Sequence, residues 1–276
     1  MNKILLNLFF ASALAATFNA TASPEADRKQ LIETMRHEFP AIKQGDYIYG
    51  ALIYSRDSKA QYDSLMDFPP FENQIEKGRV IWEAPFRNGK SFASCFPNGG
   101  KMVAGNYPYF DEESGKVVTF EMALNKCRKV NGEPEFGYDD MSTMGVLTAY
   151  ARKFSDGMKM NIHVDTPRAQ AAYEAGKGGF YGRRGQLNFS CASCHIDNVG
   201  KIVRTEYMSP VPGQTTHWPV FREGENLFTL QKRYAACNVM TRAIPQPLGS
   251  EYYNNIEYYH SYQSNGLVMK ASVFRK

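Results

Sequence analysis

Cys191-Ala192-Ser193-Cys194-His195 is the stretch on which the reading of this chain turns. Two thiols separated by two residues, with a histidine directly after the second, form the C-x-x-C-H signature of c-type haem attachment. Both thiols add across the vinyl groups of one rigid macrocycle, and the adjacent imidazole reaches its iron as the proximal ligand. Two other uses of C-x-x-C compete. A redox dithiol wants a thioredoxin-like βαβ setting, and a zinc site wants a second ligand pair at suitable spacing. Neither is evident, so Cys191 and Cys194 are read as the attachment residues of one haem c per chain, and His195 as an axial ligand.

Outward from this motif the sequence repeats itself weakly. Glu174-Ala175-Gly176-Lys177 precedes the haem motif, and Ala236-Cys237-Asn238 follows it. Earlier in the chain, Glu76-Lys77-Gly78-Arg79 precedes Phe92-Ala93-Ser94-Cys95-Phe96, and Asn125-Lys126-Cys127-Arg128 follows. The shared core is the tripeptide Ala-Ser-Cys in the same relative place. This predicts a mainly α protein built from two tandem cytochrome c-like domains, residues 23–157 and 158–276, the first degenerate and without haem. The Asp156-Gly157 turn is the expected boundary.

Helix signals dominate. Ser23 as N-cap and Pro24 at N1 open a helix to Phe39. Further helices are expected over Phe71–Trp82, Val117–Val130, Met141–Phe154, Thr166–Lys177, Glu223–Cys237 and Glu251–Tyr262. Lys159–Val164 is the best strand candidate.

The chain has 276 residues, is 43% hydrophobic and carries a formal net charge of +4. Nothing in the charge pattern suggests a nucleic-acid footprint, because acids are interspersed throughout. Lys3, the apolar run Ile4–Ala16 and Ala20-Thr21-Ala22 read as a cleavable export signal over residues 1–22. The run is shorter than the ~20 apolar residues that span a bilayer. No later segment is apolar enough to do so. A periplasmic protein, in a compartment that permits disulfides, is expected.

Five cysteines are present, an odd number. In the first half Phe92 stands where the first haem cysteine would be and Phe96 where the histidine would be. Only Cys95 survives there, and Cys127 in the same half is its local partner. A disulfide closing that loop contributes roughly 3–4 kcal/mol in the chain-entropy model; two free buried thiols are the alternative. Cys237 is left over. The haem's sixth position needs a ligand, and Met208, Met240, Met269, His217, His260 and Cys237 all qualify by residue type. Arg233 lies four residues before Cys237, on the same face of a helix, and offers a bidentate fork for an oxyanion.

Phe-Ala-Ser-Cys95, Asn-Lys-Cys127-Arg, the haem motif and Arg233-Tyr-Ala-Ala-Cys237-Asn together resemble the SoxA subunits of the SoxAX cytochromes of sulfur-oxidising bacteria. The resemblance covers nearly the whole mature chain, in its single-haem form. It implies an L-cysteine S-thiosulfotransferase that joins thiosulfate oxidatively to a cysteine of a SoxYZ-like sulfur carrier protein, with release of two electrons. It further implies a heterodimer with a SoxX-like cytochrome c subunit. Cys237 falls on the family's haem-ligating catalytic cysteine, often a persulfide, and Arg233 on its substrate-binding arginine. The rival from another class is a plain electron-transfer c-type cytochrome with Met or His as sixth ligand.

Overall fold

Thr119 and Thr229 decide where two of the helices begin. Their hydroxyls accept from the backbone N–H of Met122 and Lys232, and so cap α4 (Phe120–Val130) and α8 (Leu230–Met240). Both helices therefore start later than the expected Val117 and Glu223. The residues before each cap fold instead into a hairpin. These facts come from a computed structural model, which describes residues 23–203, 205–224 and 226–275; the expected export signal, residues 1–22, lies outside the described residues.

Among the described residues the molecule is mainly helical, and no helix is long and apolar enough to cross a membrane. In chain order the other helices are α1 (Pro24–Glu38), α2 (Arg56–Asp67), α3 (Glu72–Glu83), α5 (Val146–Lys153), α6 (Pro167–Tyr181), α7 (Cys191–His195) and α9 (Glu251–Tyr262). The strands are β1 (Tyr109–Asp111), β2 (Lys116–Val118), β3 (Ile202–Val203), β4 (Glu206–Tyr207), β5 (Val220–Arg222), β6 (Asn226–Phe228) and β7 (Val273–Phe274). β1 and β2 pair antiparallel, as do β5 and β6, and β7 joins β5 in parallel.

Four departures from expectation are local. α2 carries no strong apolar stripe, because Tyr62 is its one fully buried residue; Ser55 caps it. The helix expected from Met141 opens with one wide turn, Met141–Gly145, and becomes regular at Val146. Lys159–Val164 forms no strand beyond a single bridge from Lys159 to Val268. Before α8, Glu223 and Gly224 both take positive φ and reverse the chain between β5 and β6, which excludes a helix there.

Two glycines set the helix packing. A Cβ on Gly78 of α3 would lie 2.1 Å from the carbonyl oxygen of Val146 in α5. A Cβ on Gly176 of α6 would lie 1.9 Å from the carbonyl oxygen of Asn255 in α9. At both crossings backbone meets backbone, and no other residue fits. α1 does not stay with its neighbours in sequence. Its Asp27 pairs with Lys177 of α6 at 2.7 Å and accepts from the Tyr173 hydroxyl at 3.0 Å. One continuous apolar core runs from Leu31 and Trp82 through Phe120 and Tyr173 to Met269.

Candidate functional site

Helix α7 is a single short element whose form is set by serines. Ser190 accepts from the Ser193 N–H, and the Ser193 hydroxyl accepts from the Ser190 N–H, a closed capping box. That box fixes Cys191 and Cys194 one turn apart, with His195 next to them. Both thiols are half-buried. Burial pushes the Cys191 thiol up to about 11, and burial with the nearby Cys237 thiol raises Cys194 as well.

His195 is held neutral. Burial pushes its imidazole down to about 4, against the opposing pull of the Ser209 carbonyl. That carbonyl lies 2.8 Å from Nδ1 and can only accept, so Nδ1 carries the proton and donates. Nε2 is then a bare lone pair, and no hydrogen-bond partner meets it among the described residues. Fixing one imidazole nitrogen by a backbone carbonyl and leaving the other as a Lewis base is how metal-ligating histidines are oriented.

Helix α8 brings the second cluster to the same place. Cys237 and Arg233 lie one turn apart and both are half-buried. The Arg233 charge reaches Cys194 and His195, and the Cys237 thiol reaches Cys191 and Cys194. The structure thus gathers Cys191, Cys194, His195, Arg233 and Cys237 into one neighbourhood. Arg222 belongs to it too. It pairs with Glu206 at 3.2 Å, and its guanidinium feels the charge of Arg233. Among the described residues Arg233 makes no ion pair and its guanidinium donates to no acceptor. A half-buried guanidinium that meets no carboxylate among the described residues is disposed to take an anion from outside.

Of the alternative sixth ligands, His260 spends both ring nitrogens inside the protein, on Gln214 and Tyr234. Met269 is buried and its backbone pairs with Met158 and Gly157. His217 is buried against Trp218, with Nδ1 unpartnered. Met240 lies on α8, one turn beyond Cys237.

The residues present fit a haem. Besides two thiols and a free imidazole nitrogen, the surroundings hold apolar side chains that are open to solvent. Tyr181, Leu187, Phe189, Met240 and Tyr252 are each 37–45% exposed. Leu187 is tied by its N–H to the carbonyl of Thr241, just past α8, and Phe189 immediately precedes Ser190. Tyr252 and Arg184, whose guanidinium lies 5.6 Å from the Tyr252 ring centre, both interact with Cys191. A large apolar plate would cover such a patch. Arg184, Arg222, Ser209 and Gln214 escaped the sequence reading, since nothing in their spacing connects them to the motif.

In the first half Cys95 and Cys127 are joined by a disulfide with Cα atoms 5.7 Å apart. Asn131 Nδ2 donates to the Cys127 carbonyl at 2.8 Å beside it. Phe92 stacks on Trp82 with ring centres 5.6 Å apart, and Phe96 stacks on the same ring at 5.8 Å.

Comparison with known proteins follows the same lines. A family model described as "SoxA/TsdA, cytochrome c domain" matches residues 77–160. The L-cysteine S-thiosulfotransferase subunit SoxA of Chlorobaculum tepidum is 41% identical over 275 residues, covering 99% of this chain and 95% of that protein. The subunit of the same name from Allochromatium vinosum is 38% identical over 278 residues, covering 99% and 98%. The crystal structure of SoxXA from P. pantotrophus superposes with a TM-score of 0.71 at 30% identity, covering 79% of this chain and 84% of that one.

Proposed function

This chain belongs to the SoxA family, and from that premise we propose that it is the catalytic haem subunit of a thiosulfate-oxidising cytochrome complex, an L-cysteine S-thiosulfotransferase. The reaction joins the outer sulfur of thiosulfate to the cysteine sulfur of a SoxYZ-like carrier protein. One S–S bond forms, the carrier thiol loses its proton, and two electrons leave. Bound haem c supplies a one-electron route out of the site.

The chain's own residues have separate tasks. Cys191 and Cys194 would hold the haem covalently, and His195 would bind its iron through Nε2. Cys237 would be the second iron ligand and the catalytic sulfur. As a persulfide it would join the outer sulfur of thiosulfate with loss of two electrons. The carrier thiolate would then attack that outer sulfur, forming the product S–S bond and releasing the Cys237 persulfide again. Arg233 grips the sulfonate end of thiosulfate and so aims the outer sulfur at Cys237. The observation that carries this reading is that Arg233, half-buried and without an ion pair among the described residues, lies one turn before the Cys237 thiol, both beside the haem motif.

Two tandem cytochrome c-like domains, 23–157 and 158–276, with haem in the second, complete the proposal. The family model falls on the half that lacks the C-x-x-C-H motif. The glycine crossings, the hairpins and the threonine-capped helices that carry Cys127 and Cys237 at the same turn recur in both halves and support the reading. A heterodimer with a SoxX-like cytochrome c and export to the periplasm belong to the same proposal; the likeness to SoxXA from P. pantotrophus supports the first.

The test is Cys237→Met in the assembled complex. Methionine is a competent iron ligand, so a six-coordinate spectrum is expected to persist. Thiosulfate conjugation to the carrier is expected to fall to background, because a thioether forms no persulfide. Conjugation at the parent rate would overturn the enzymatic role of Cys237 in favour of a plain electron carrier.

A further inference from the structure

Beyond the axial histidine lies a buried chain of side chains that the proposed reaction does not use. The side-chain nitrogen of Gln214 lies 2.7 Å from His195 Nδ1 and 2.6 Å from the Ser209 hydroxyl. Its oxygen lies 2.7 Å from His260 Nε2. His260 Nδ1 in turn lies 2.8 Å from the Tyr234 hydroxyl. Gln214, His260 and Tyr234 are 8%, 4% and 9% exposed. Four segments far apart in sequence converge here: α7, the turn Gln214–Thr216, α9 and α8. Polar groups so deeply buried cost stability unless every one is paired.

The direction of the bonds can be worked out. His195 Nδ1 carries a proton, because the Ser209 carbonyl beside it can only accept. Two N–H donors cannot face each other at 2.7 Å. The two ends of a carboxamide exchange by a half-turn, so Gln214 turns its oxygen to the His195 N–H and accepts from the Ser209 hydroxyl as well. Its NH2 group then donates to His260 Nε2. His260 therefore carries its proton on Nδ1 and donates to Tyr234. Iron ligation through Nε2 requires the proton on His195 Nδ1, and that single requirement orients every bond to Tyr234, one turn before Cys237.

We infer that Gln214 and His260 are positioning residues for the axial histidine, forming with Tyr234 a hydrogen-bond chain that sets how strongly His195 donates to the haem iron. The inference rests on the haem reading proposed above. An acceptor that pulls harder on Nδ1–H makes Nε2 a stronger donor and favours the oxidised iron; a lost acceptor does the reverse.

The experiment is a redox titration of the holo-protein in its complex, with the low-spin EPR spectrum as a second readout. Gln214→Leu is expected to raise the midpoint potential, Gln214→Glu to lower it, and His260→Phe to shift it in the same direction as Gln214→Leu but less. Opposite displacements by Leu and Glu at one position are not produced by loosened packing. Covalent haem is counted in each variant by pyridine haemochrome. Unchanged potentials, or shifts of one sign at position 214, in proteins that retain one haem would overturn the inference while the haem assignment stands. A parent chain without covalent haem would overturn the haem reading and the inference with it. If Leu at 214 prevents haem loading, the Glu variant decides: a lowered potential supports the chain, an unchanged or raised one refutes it.

Discussion

The turn Phe92–Cys95 with its helix α4 and the turn Cys191–His195 with its helix α8 answer the same structural problem by different chemistry. Each helix has 11 residues, a threonine cap and a cysteine on the same turn. In the first region the sulfurs are consumed in a disulfide, and Trp82, Phe86, Phe92 and Phe96 stack into the interior. In the second the cysteines form no disulfide, and a polar chain of Gln214, His260 and Tyr234 threads the interior behind them. Four residues before its cysteine, α8 carries Arg233, where α4 carries Ala123. A cavity of about 270 Å³ remains in the first region, lined by Val80, Phe86, Phe92, Arg128 and Phe136 among others. The two regions share a backbone frame and differ in the side chains it carries.

This contrast is open to direct attack. The largest effect is expected from Cys191→Ala with Cys194→Ala, which removes both attachment points. Covalent haem is expected to drop to background by pyridine haemochrome, with the first half still cross-linked. Retention of a full covalent haem would break the assignment of the two halves.

Next in size is Cys95→Ser with Cys127→Ser. Loss of a cross-link over this span costs roughly 3–4 kcal/mol in the chain-entropy model. Thermal unfolding is expected several degrees lower, with the haem absorption and EPR spectra unchanged. A changed haem spectrum would mean that the two regions are coupled more tightly than their separate chemistry implies.

Arg233→Ala makes α8 resemble α4 at one position. Losing the proposed charge-assisted contact, roughly 1.5–3 kcal/mol, is expected to lower kcat/KM for thiosulfate about 10- to 150-fold, with the iron ligation seen by EPR unchanged. A conjugation rate equal to that of the parent would remove Arg233 from the site.

The smallest effect concerns the seam between the regions. Glu257 of α9 is buried, accepts from Gln231 at 2.9 Å, and faces Glu121 and Arg152 from the first half. Burial, and then the nearby Glu121, holds its carboxyl above the ordinary value of 4.5. The folded chain therefore keeps a proton that the unfolded chain releases. Stability is lost as pH rises from the ordinary carboxylate value through the raised one. Glu257→Gln is expected to flatten that slope and to raise the melting temperature at alkaline pH, with little change below the ordinary value of 4.5. A parent melting temperature that climbs across this window would contradict the neutral carboxyl.

Legibility in the sequence followed the range of the interactions. The haem motif, the end helices and the glycine repeat rest on neighbours within a turn or two, and these were readable. Thr119 and Thr229 were readable as caps in principle, yet the apolar residues before them imitate a helical stripe, and the hairpins were missed. Helix α2 buries too little for periodicity to reveal it. The hydrogen bonds of His195 with Ser209 and Gln214, and of His260 with Tyr234, join residues that no local pattern connects. Arg233 beside Cys237 is visible as spacing, but its approach to Cys194 and His195 is not, because that juxtaposition is a property of the fold.

Gly78 and Gly176 carry a consequence for engineering. Each lets two helices touch at the main chain, and both crossings are made by the chain's own backbone. Architecture and cargo are therefore separate design variables in this scaffold. Installing a prosthetic group in the first half would be a task of carving the interior, replacing Phe92 and Phe96 and releasing Cys95 from its disulfide with Cys127, with the helix crossings left as they stand.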